Sequence, residues 1–395
     1  MNDLGISAEL QAFLRQHKWH NAQIVALKTD ASQRQYYRLS QNERSVILMD
    51  ARRSAVGETK RFQRIASHLF AQDLSAPQIY GADHDLRALL VEDLGDDLLS
   101  GFWAKGAQSA YPIYQRAVDM LLAVQASDPP AFLAQPDAQD LAVMIAPAFE
   151  FYKGSARVEA DQSALLAALT DLLAAALQSA PVLALRDCHA ENLLYLPARR
   201  GAACVGILDF QDAFQSHPAY DLMSLLQDVR RDIPANMEAG LIAYFVAQAG
   251  LEARAFQRAY AVLGVQRNLR ILGVFARLAL QENKANYLVH MPRVWRYIQR
   301  NLRAPGLQGL KALIDAEFPS PANLNWTVSM HTMAKTPFPV MIFAAGFGRR
   351  MGALTKDKPK PLVPVKGRAL IDSAVDIARE SGAQTILVNL HYKHQ

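Results

Sequence analysis

Cysteine is almost missing: Cys188 and Cys204 are the only two in 395 residues. That argues against a disulfide framework and fits a reducing cytoplasm. Long apolar runs are missing too. No uninterrupted stretch is long enough to cross a bilayer as a helix. The start, Met1-Asn2-Asp3-Leu4, has neither the basic opening nor the apolar core of a signal peptide. The expectation is a cytoplasmic protein without a membrane partner. Internal repeats and extended low-complexity tracts are also lacking, which excludes solenoid architectures. A surplus of one charge sign is lacking over most of the chain. Residues 1–335 hold 33 basic and 33 acidic residues, and the net charge of +5 sits wholly in residues 336–395. A basic stretch without interleaved aromatics is a poor nucleic-acid surface, so no nucleic-acid partner is expected.

The chain is half apolar and one-fifth charged, an ordinary globular balance, and its length calls for two or three domains. Alternating runs at Ile24–Leu27, Tyr36–Leu39 and Val46–Met49 read as strands, with polar turns at residues 29–35 and 40–43. Glu58–Gln72 reads as a helix with Phe62, Ile65, Leu69 and Phe70 as its apolar stripe. Two further strands, near Gln78–Tyr80 and Ala88–Val91, lead to Glu92-Asp93-Leu94-Gly95. Residues 1–95 thus form a small β-rich unit. Residues 96–318 are mostly helical, including Ala164–Gln178 and Tyr220–Arg231, and are interrupted by a loop at Asp187 and a strand at Val205–Asp209. The Pro319-Ser320-Pro321 cluster opens a linker over 319–335. From 336 to 395 a strand, a Gly-rich turn, a helix and a strand follow.

The most informative stretch is Arg186-Asp187-Cys188-His189-Ala190-Glu191-Asn192, followed by Ile207-Leu208-Asp209-Phe210. It supplies what phosphoryl transfer needs: a carboxylate to orient and deprotonate a hydroxyl (Asp187) and two hard oxygen ligands for Mg2+ (Asn192 and Asp209). Asp-x-x-x-x-Asn alone arises on the order of once by chance in a chain this long. Its weight comes from the apolar strands that bracket all three residues. The plainer alternative has Asp187 and Asn192 satisfying a turn and Asp209 capping a strand.

The order of a polar hairpin loop, a helix, Glu92-Asp93-Leu94-Gly95, Asp187…Asn192, Leu208-Asp209-Phe210 and Pro218-Ala219-Tyr220-Asp221 resembles the aminoglycoside phosphotransferase/choline kinase family over residues 20–320. Within it, Thr29-Asp30-Ala31-Ser32, Tyr36-Tyr37-Arg38 and Asp209-Phe210-Gln211-Asp212-Ala213 look most like the bacterial anomeric kinases of peptidoglycan recycling. Those enzymes act on N-acetylmuramate and N-acetylglucosamine. The resemblance implies an α+β bilobal protein-kinase-like fold, ATP and Mg2+ as cofactors, and a sugar as small-molecule substrate. It also implies that Ser32, Gln33 and Arg34 cover the ATP phosphates and that Glu92 and Leu94 border the adenine. Asp221 is expected to brace the catalytic loop or act as a helix N-terminal charge, and His189 to touch substrate or support the loop. Two departures stand out. Leu185 replaces a customary His, and Val46-Ile47-Leu48-Met49 lacks the Lys that typically grips the inner phosphates. Glu58 is thereby left without an obvious mate, and Arg34 or Arg38 is expected to supply the charge.

Residues 343–367 contain Gly346, Gly348, Arg350 and Lys360 in a pattern that resembles the N-terminal signature of sugar-1-phosphate nucleotidyltransferases. A glycine loop admits phosphates to backbone N–H groups, and the cations neutralise them. The expectation is a partial Rossmann-like α/β segment, inactive alone but pointing to functional coupling with such an enzyme. The leading reading is an amino-sugar kinase. Its rivals are an aminoglycoside- or choline-type phosphotransferase and a pseudokinase-like binding protein.

Overall fold

The computed structural model describes residues 6–27, 34–103, 106–152, 162–324, 339–343, 359–365, 368–380 and 385–389. The chain divides into two compact units, Met1–Asn325 and Trp326–Gln395.

The first unit opens with helix α1 (Ala8–Gln16), capped by the Ser7 hydroxyl, which accepts from Leu10 N at 3.4 Å. Strands β1 (Gln23–Leu27), β2 (Gln35–Gln41) and β3 (Arg44–Asp50) form a meander. The β2–β3 turn needs positive φ at both central residues, and Asn42 and Glu43 adopt 50° and 61°. Helix α2 (Glu58–Phe70) precedes β4 (Ile79–Asp83) and β5 (Ala88–Glu92), which complete an antiparallel sheet in the order β1-β2-β3-β5-β4. Leu10, Phe13 and Leu14 of α1 pack on Tyr37, Leu39, Val46 and Leu48 of the sheet. Of the stripe expected on α2, Phe62, Ile65 and Leu69 are buried, but Phe70 is exposed. It lies a third of a turn beyond Leu69, and Ala66 takes the inward position instead.

The helical lobe comprises α3 (Leu99–Phe102), α4 (Ala107–Val124), α5 (Ala138–Val143), α6 (Gln162–Ala176), α7 (Ala219–Leu226), α8 (Ala235–Ala249), α9 (Ala253–Gln281), α10 (Met291–Asn301) and α11 (Gln308–Glu317). Between α6 and α7 lie two short antiparallel ladders: β6 (Val182–Ala184) with β9 (Phe214–Ser216), and β7 (Leu193–Tyr195) with β8 (Val205–Ile207). Helix α7 stops five residues before the expected Arg231. Residues 228–231 form a turn in which the Asp228 carboxylate accepts from Arg230 N at 3.0 Å. The lobes are joined where Ile207 N donates to Ser75 O at 2.9 Å and Ser75 Oγ donates to Ala203 O at 2.6 Å.

Helix α9 runs through the lobe's centre and is buried on all sides over residues 259–269. It approaches the backbone of Pro147 and Ala148 so closely that a Cβ on Gly273 would lie 2.2 Å from Ala148 N. Asp221, on α7, is fully buried and accepts from Leu185 N at 2.5 Å and Arg186 N at 3.0 Å. It fixes the chain two residues before Asp187. Burial pushes its carboxyl up to about 7, which the two N–H donors and nearby Arg267 only partly offset.

In the second unit, β10 (Pro339–Phe343) pairs in parallel with β13 (Thr385–Asn389). Between them come a hairpin of β11 (Pro364–Val365) and β12 (Arg368–Ala369) and then helix α12 (Leu370–Glu380), so the segment is one βαβ unit. Met341, Leu387 and Val388 remain exposed on it.

Gly273→Ala gains about 1 kcal/mol of helix propensity, yet the clash is with backbone that cannot swing aside. A net loss of about 3 kcal/mol is expected, read as a lower urea midpoint at unchanged m; an equal or higher midpoint contradicts this packing. Asp221 predicts a pH dependence. Between about pH 4 and 7 the unfolded chain releases this proton while the folded protein keeps it, so this group makes stability fall as pH rises through that window. Asp221→Asn should be less stable at pH 5, with its deficit shrinking toward pH 8. Parallel profiles of wild type and variant would refute the assignment.

Candidate active site

Three loop ends converge in the first unit. Asp187 follows β6, Asn192 precedes β7, and Asp209 lies two residues beyond β8. The expected strand Val205–Asp209 ends early, at Ile207. Asp209 turns into the left-handed region at φ 56°, which lifts its side chain out of the ladder. Arg186, just before Asp187, is also left-handed at φ 76°. The β7–β8 hairpin sets Asn192 beside Asp209, with Leu208 N donating to Asn192 O at 2.8 Å. The Asn192 amide donates to Asp187 O at 2.9 Å and to Asp209 Oδ2 at 3.5 Å. One side-chain amide therefore ties all three positions together.

Asp209 Oδ1 accepts from Arg34 Nη2 at 3.1 Å and from Gln211 Nε2 at 2.9 Å. Arg34 Nε also lies 3.2 Å from Glu58 Oε1, so Glu58 has its mate after all, and the cation comes from the residue preceding β2 rather than from β3. Arg38 does not share this role. Its guanidinium is held by Asp93 at 2.7 Å and Asp96 at 2.8 Å, which raise its pKa and pin the turn after β5. Helix α2 touches the Asp209 loop twice more: Phe62 stacks on Phe210 at 4.7 Å, and Arg61 donates to Ala213 O at 2.8 Å.

A cleft of about 750 Å³ contains Arg34, Glu58, Asp187, Asp209, Arg267 and Arg270 in its wall. His189 lines it too; burial lowers its pKa, and its Nε2 lies 3.3 Å from the Asn192 amide. Glu92 and Leu94 are not in that wall. Glu92 is ion-paired with Arg199 and accepts from Gln78 N at 3.3 Å, while Leu94 packs over Gly206. Asp221 lies behind the loop, outside the cleft. Ser32, Gln33, Gly346, Gly348 and Arg350 fall outside the described residues, as does the side chain of Lys360.

Sequence reading passed over Arg267, 7% exposed, whose Nη2 lies 3.6 Å from Asp187 Oδ1. It also passed over Arg270 and Asp228. A signal was present: Gln266-Arg267-Asn268 and Arg270 interrupt an otherwise apolar stretch of α9. Polar side chains inside a buried helix need partners. The Asp209 carboxylate and Asn192 amide carbonyl are a hard oxygen pair suited to Mg2+. Among the described residues no three His, Cys, Asp or Glu side chains gather as a metal site. Two protein oxygens beside a phosphate-bound ion fit that set.

Residues 23–260 match the family model described as the phosphotransferase enzyme family, and residues 340–395 that of the MobA-like NTP transferase domain. An N-acetylmuramate/N-acetylglucosamine kinase of Caulobacter vibrioides is 35% identical over 350 residues, covering 78% of this chain and 95% of the relative. The C-terminal segment is similar to an N-acetylmuramate alpha-1-phosphate uridylyltransferase of the same organism. That match is 47% identical over 60 residues, 15% of this chain and 25% of the relative, so the chain spans a quarter of that protein. Among solved structures, a choline kinase from Streptococcus pneumoniae aligns at a TM-score of 0.55 and 12% identity, covering 78% of this chain and all of that one. This is a likeness of fold. Since residues 23–260 make up more than half the chain, and the kinase relative aligns over nearly its whole length, the protein belongs to the phosphotransferase enzyme family, with that family's protein-kinase-like bilobal fold.

Proposed function

We propose that the protein transfers the γ-phosphoryl group of ATP to the anomeric hydroxyl of N-acetylmuramate or N-acetylglucosamine. Asp187 and Asp209 line one cleft and the Asn192 amide bonds to both positions, an arrangement that supports the phosphotransfer chemistry. The Caulobacter kinase supports the sugar. The uridylyltransferase-like segment supports the anomeric position, because that relative's name specifies a 1-phosphate. A kinase that makes a sugar 1-phosphate is also a chemically sensible supplier for such an enzyme, which is the coupling we infer.

Asp187 would accept the sugar's hydroxyl proton and hold its oxygen in line with the γ-phosphorus. Its side chain is 38% exposed, and Arg267 Nη2 lies 3.6 Å from its Oδ1. Asn192 and Asp209 would hold Mg2+, which when bound neutralises charge on the phosphates. Arg34 takes the place of the missing strand Lys. Glu58 and Asp209 hold its guanidinium at the mouth of the metal pair, where it can meet the inner phosphates. Cytoplasmic residence follows as a proposal from the cytosolic source of ATP; no described helix is long and apolar enough to cross a membrane.

An aminoglycoside acceptor is disfavoured along one wall of the cleft. There helix α9 presents Arg267 and Arg270 and no Asp or Glu, although the lining as a whole carries five Arg and five acidic residues. An ammonium held about 6 Å from one such guanidinium costs about 3 kcal/mol at an effective dielectric of about 20.

Incubation with ATP and each amino sugar should give an acid-labile monophosphate by mass spectrometry, while kanamycin gives none. An acid-stable product places the phosphate elsewhere, and phosphorylated kanamycin overturns the acceptor. Asp187→Ala should lower kcat about a thousandfold with little change in the KM for ATP. Arg34→Ala should raise that KM about tenfold or more, and Arg34→Lys should recover only part, since an ammonium cannot span both carboxylates. An unchanged KM for ATP in Arg34→Ala would remove Arg34 from the phosphate site.

A further inference from the structure

Arg270 is a half-buried guanidinium in the cleft wall, and among the described residues it has no hydrogen bond or ion pair with any other group. The two neighbouring arginines already have acidic partners. Arg267, one turn earlier on α9, spends its charge on Asp187 at 3.6 Å, and Arg186 reaches Asp212 at 3.9 Å. Burial, Arg186 and Arg267 lower the pKa of Arg270, and Tyr220 and Asp187 offset this only in part. A guanidinium desolvated among other guanidiniums is costly unless something anionic arrives to pair with it.

We infer that Arg270 is a specificity residue that binds a carboxylate on the acceptor sugar, so that the cleft distinguishes acidic N-acetylmuramate from neutral N-acetylglucosamine. This assignment rests on the amino-sugar reading above. The two sugars differ by one lactyl ether at O3, and that group brings the only charge. Placement along α9 fits. Arg267 marks the position of Asp187, where the anomeric oxygen reacts, and Arg270 lies about one helical turn, or about 5 Å, further along. The lactyl carboxylate lies a comparable distance from the anomeric oxygen, across the pyranose ring. Beyond Arg270 the wall becomes apolar, with Ile271, Val274, Phe275 and Leu278 facing the cleft. That surface suits the methyl groups of the acetyl and lactyl substituents. Guanidinium and carboxylate match bidentately, which a single Lys would not reproduce.

A nucleotide phosphate could also satisfy a lone guanidinium, and kinetics separates the two anions. In the full-length chain, Arg270→Gln should raise the KM for N-acetylmuramate at least about tenfold more than that for N-acetylglucosamine or ATP. Arg270→Lys should fall between the two proteins. The methyl ester of N-acetylmuramate, tested on the unmodified protein, should lose a similar factor and needs no variant to fold. Equal losses on both sugars, a rise chiefly in the KM for ATP, or an ester that performs as well as the acid would each overturn the role of Arg270 alone. A wild-type protein that phosphorylates neither sugar overturns the functional reading as well.

Discussion

The guanidinium of Arg34 is the contact on which the site depends. It reaches Glu58 on α2 with one nitrogen and Asp209 with another, so a single side chain from the start of β2 joins the sheet, the helix and the carboxylate suited to metal. In kinases this linkage normally runs from a strand Lys to a helix Glu. Here the cation comes instead from the residue preceding β2, and its planar fork lets it hold two carboxylates at once. Its side chain is 12% exposed, that of Glu58 21% and that of Asp209 40%, so the Glu58 pairing is the better shielded from water. Removing the arginine would leave two acids facing each other beside the proposed phosphate site. Phe62 on Phe210 and Arg61 on Ala213 O brace the same junction, so the position of α2 and the position of Asp209 are mechanically one variable.

The second constraint is the buried polar face of α9. Arg267 lies behind Asp187, Gln266 donates to Leu141 O at 2.7 Å, and Asn268 donates to Gln227 at 2.8 Å. Helix α9 crosses the lobe through apolar contacts, yet it delivers cations to one patch of cleft wall. The α9 wall is therefore basic, while the cleft lining as a whole stays balanced with five Arg and five acidic residues.

Much of this was legible in the chain itself. The alternation of the first strands, the apolar runs around Asp187, Asn192 and Asp209, and the strand-then-helix-then-strand order after residue 335 are local patterns, and these survive into the fold. What escaped depended on distance in sequence. Glu58 looked unpaired because its partner precedes β2 by position rather than lying on β3. Arg267 and Arg270 follow Asp187 by about eighty residues, and no spacing rule links them. The expected strand to Asp209 and helix to Arg231 both ran too long. The strand ends where Asp209 turns into the left-handed region, and the helix ends at a turn in which the Asp228 carboxylate accepts from Arg230 N.

Those sharp turns show how the site is held. Arg186 and Asp209 both adopt left-handed backbone conformations that cost non-glycine residues about 1–3 kcal/mol each. Glycine would remove the strain at either place. At 209, however, the side chain is the carboxylate proposed to hold the metal, so the strain has to be borne and countered by contacts. Each position has its own clamp: the buried carboxylate of Asp221 takes the N–H groups of Leu185 and Arg186, while Arg34 and Gln211 hold Asp209 Oδ1. The Asn192 amide then links the two clamped loops across the cleft. Strain on both sides of one amide, each countered from a different lobe element, fixes the oxygen positions before substrate arrives. For phosphoryl transfer, in which the protein supplies positioning and charge rather than covalent chemistry, that preorganisation is the main thing a fold can contribute.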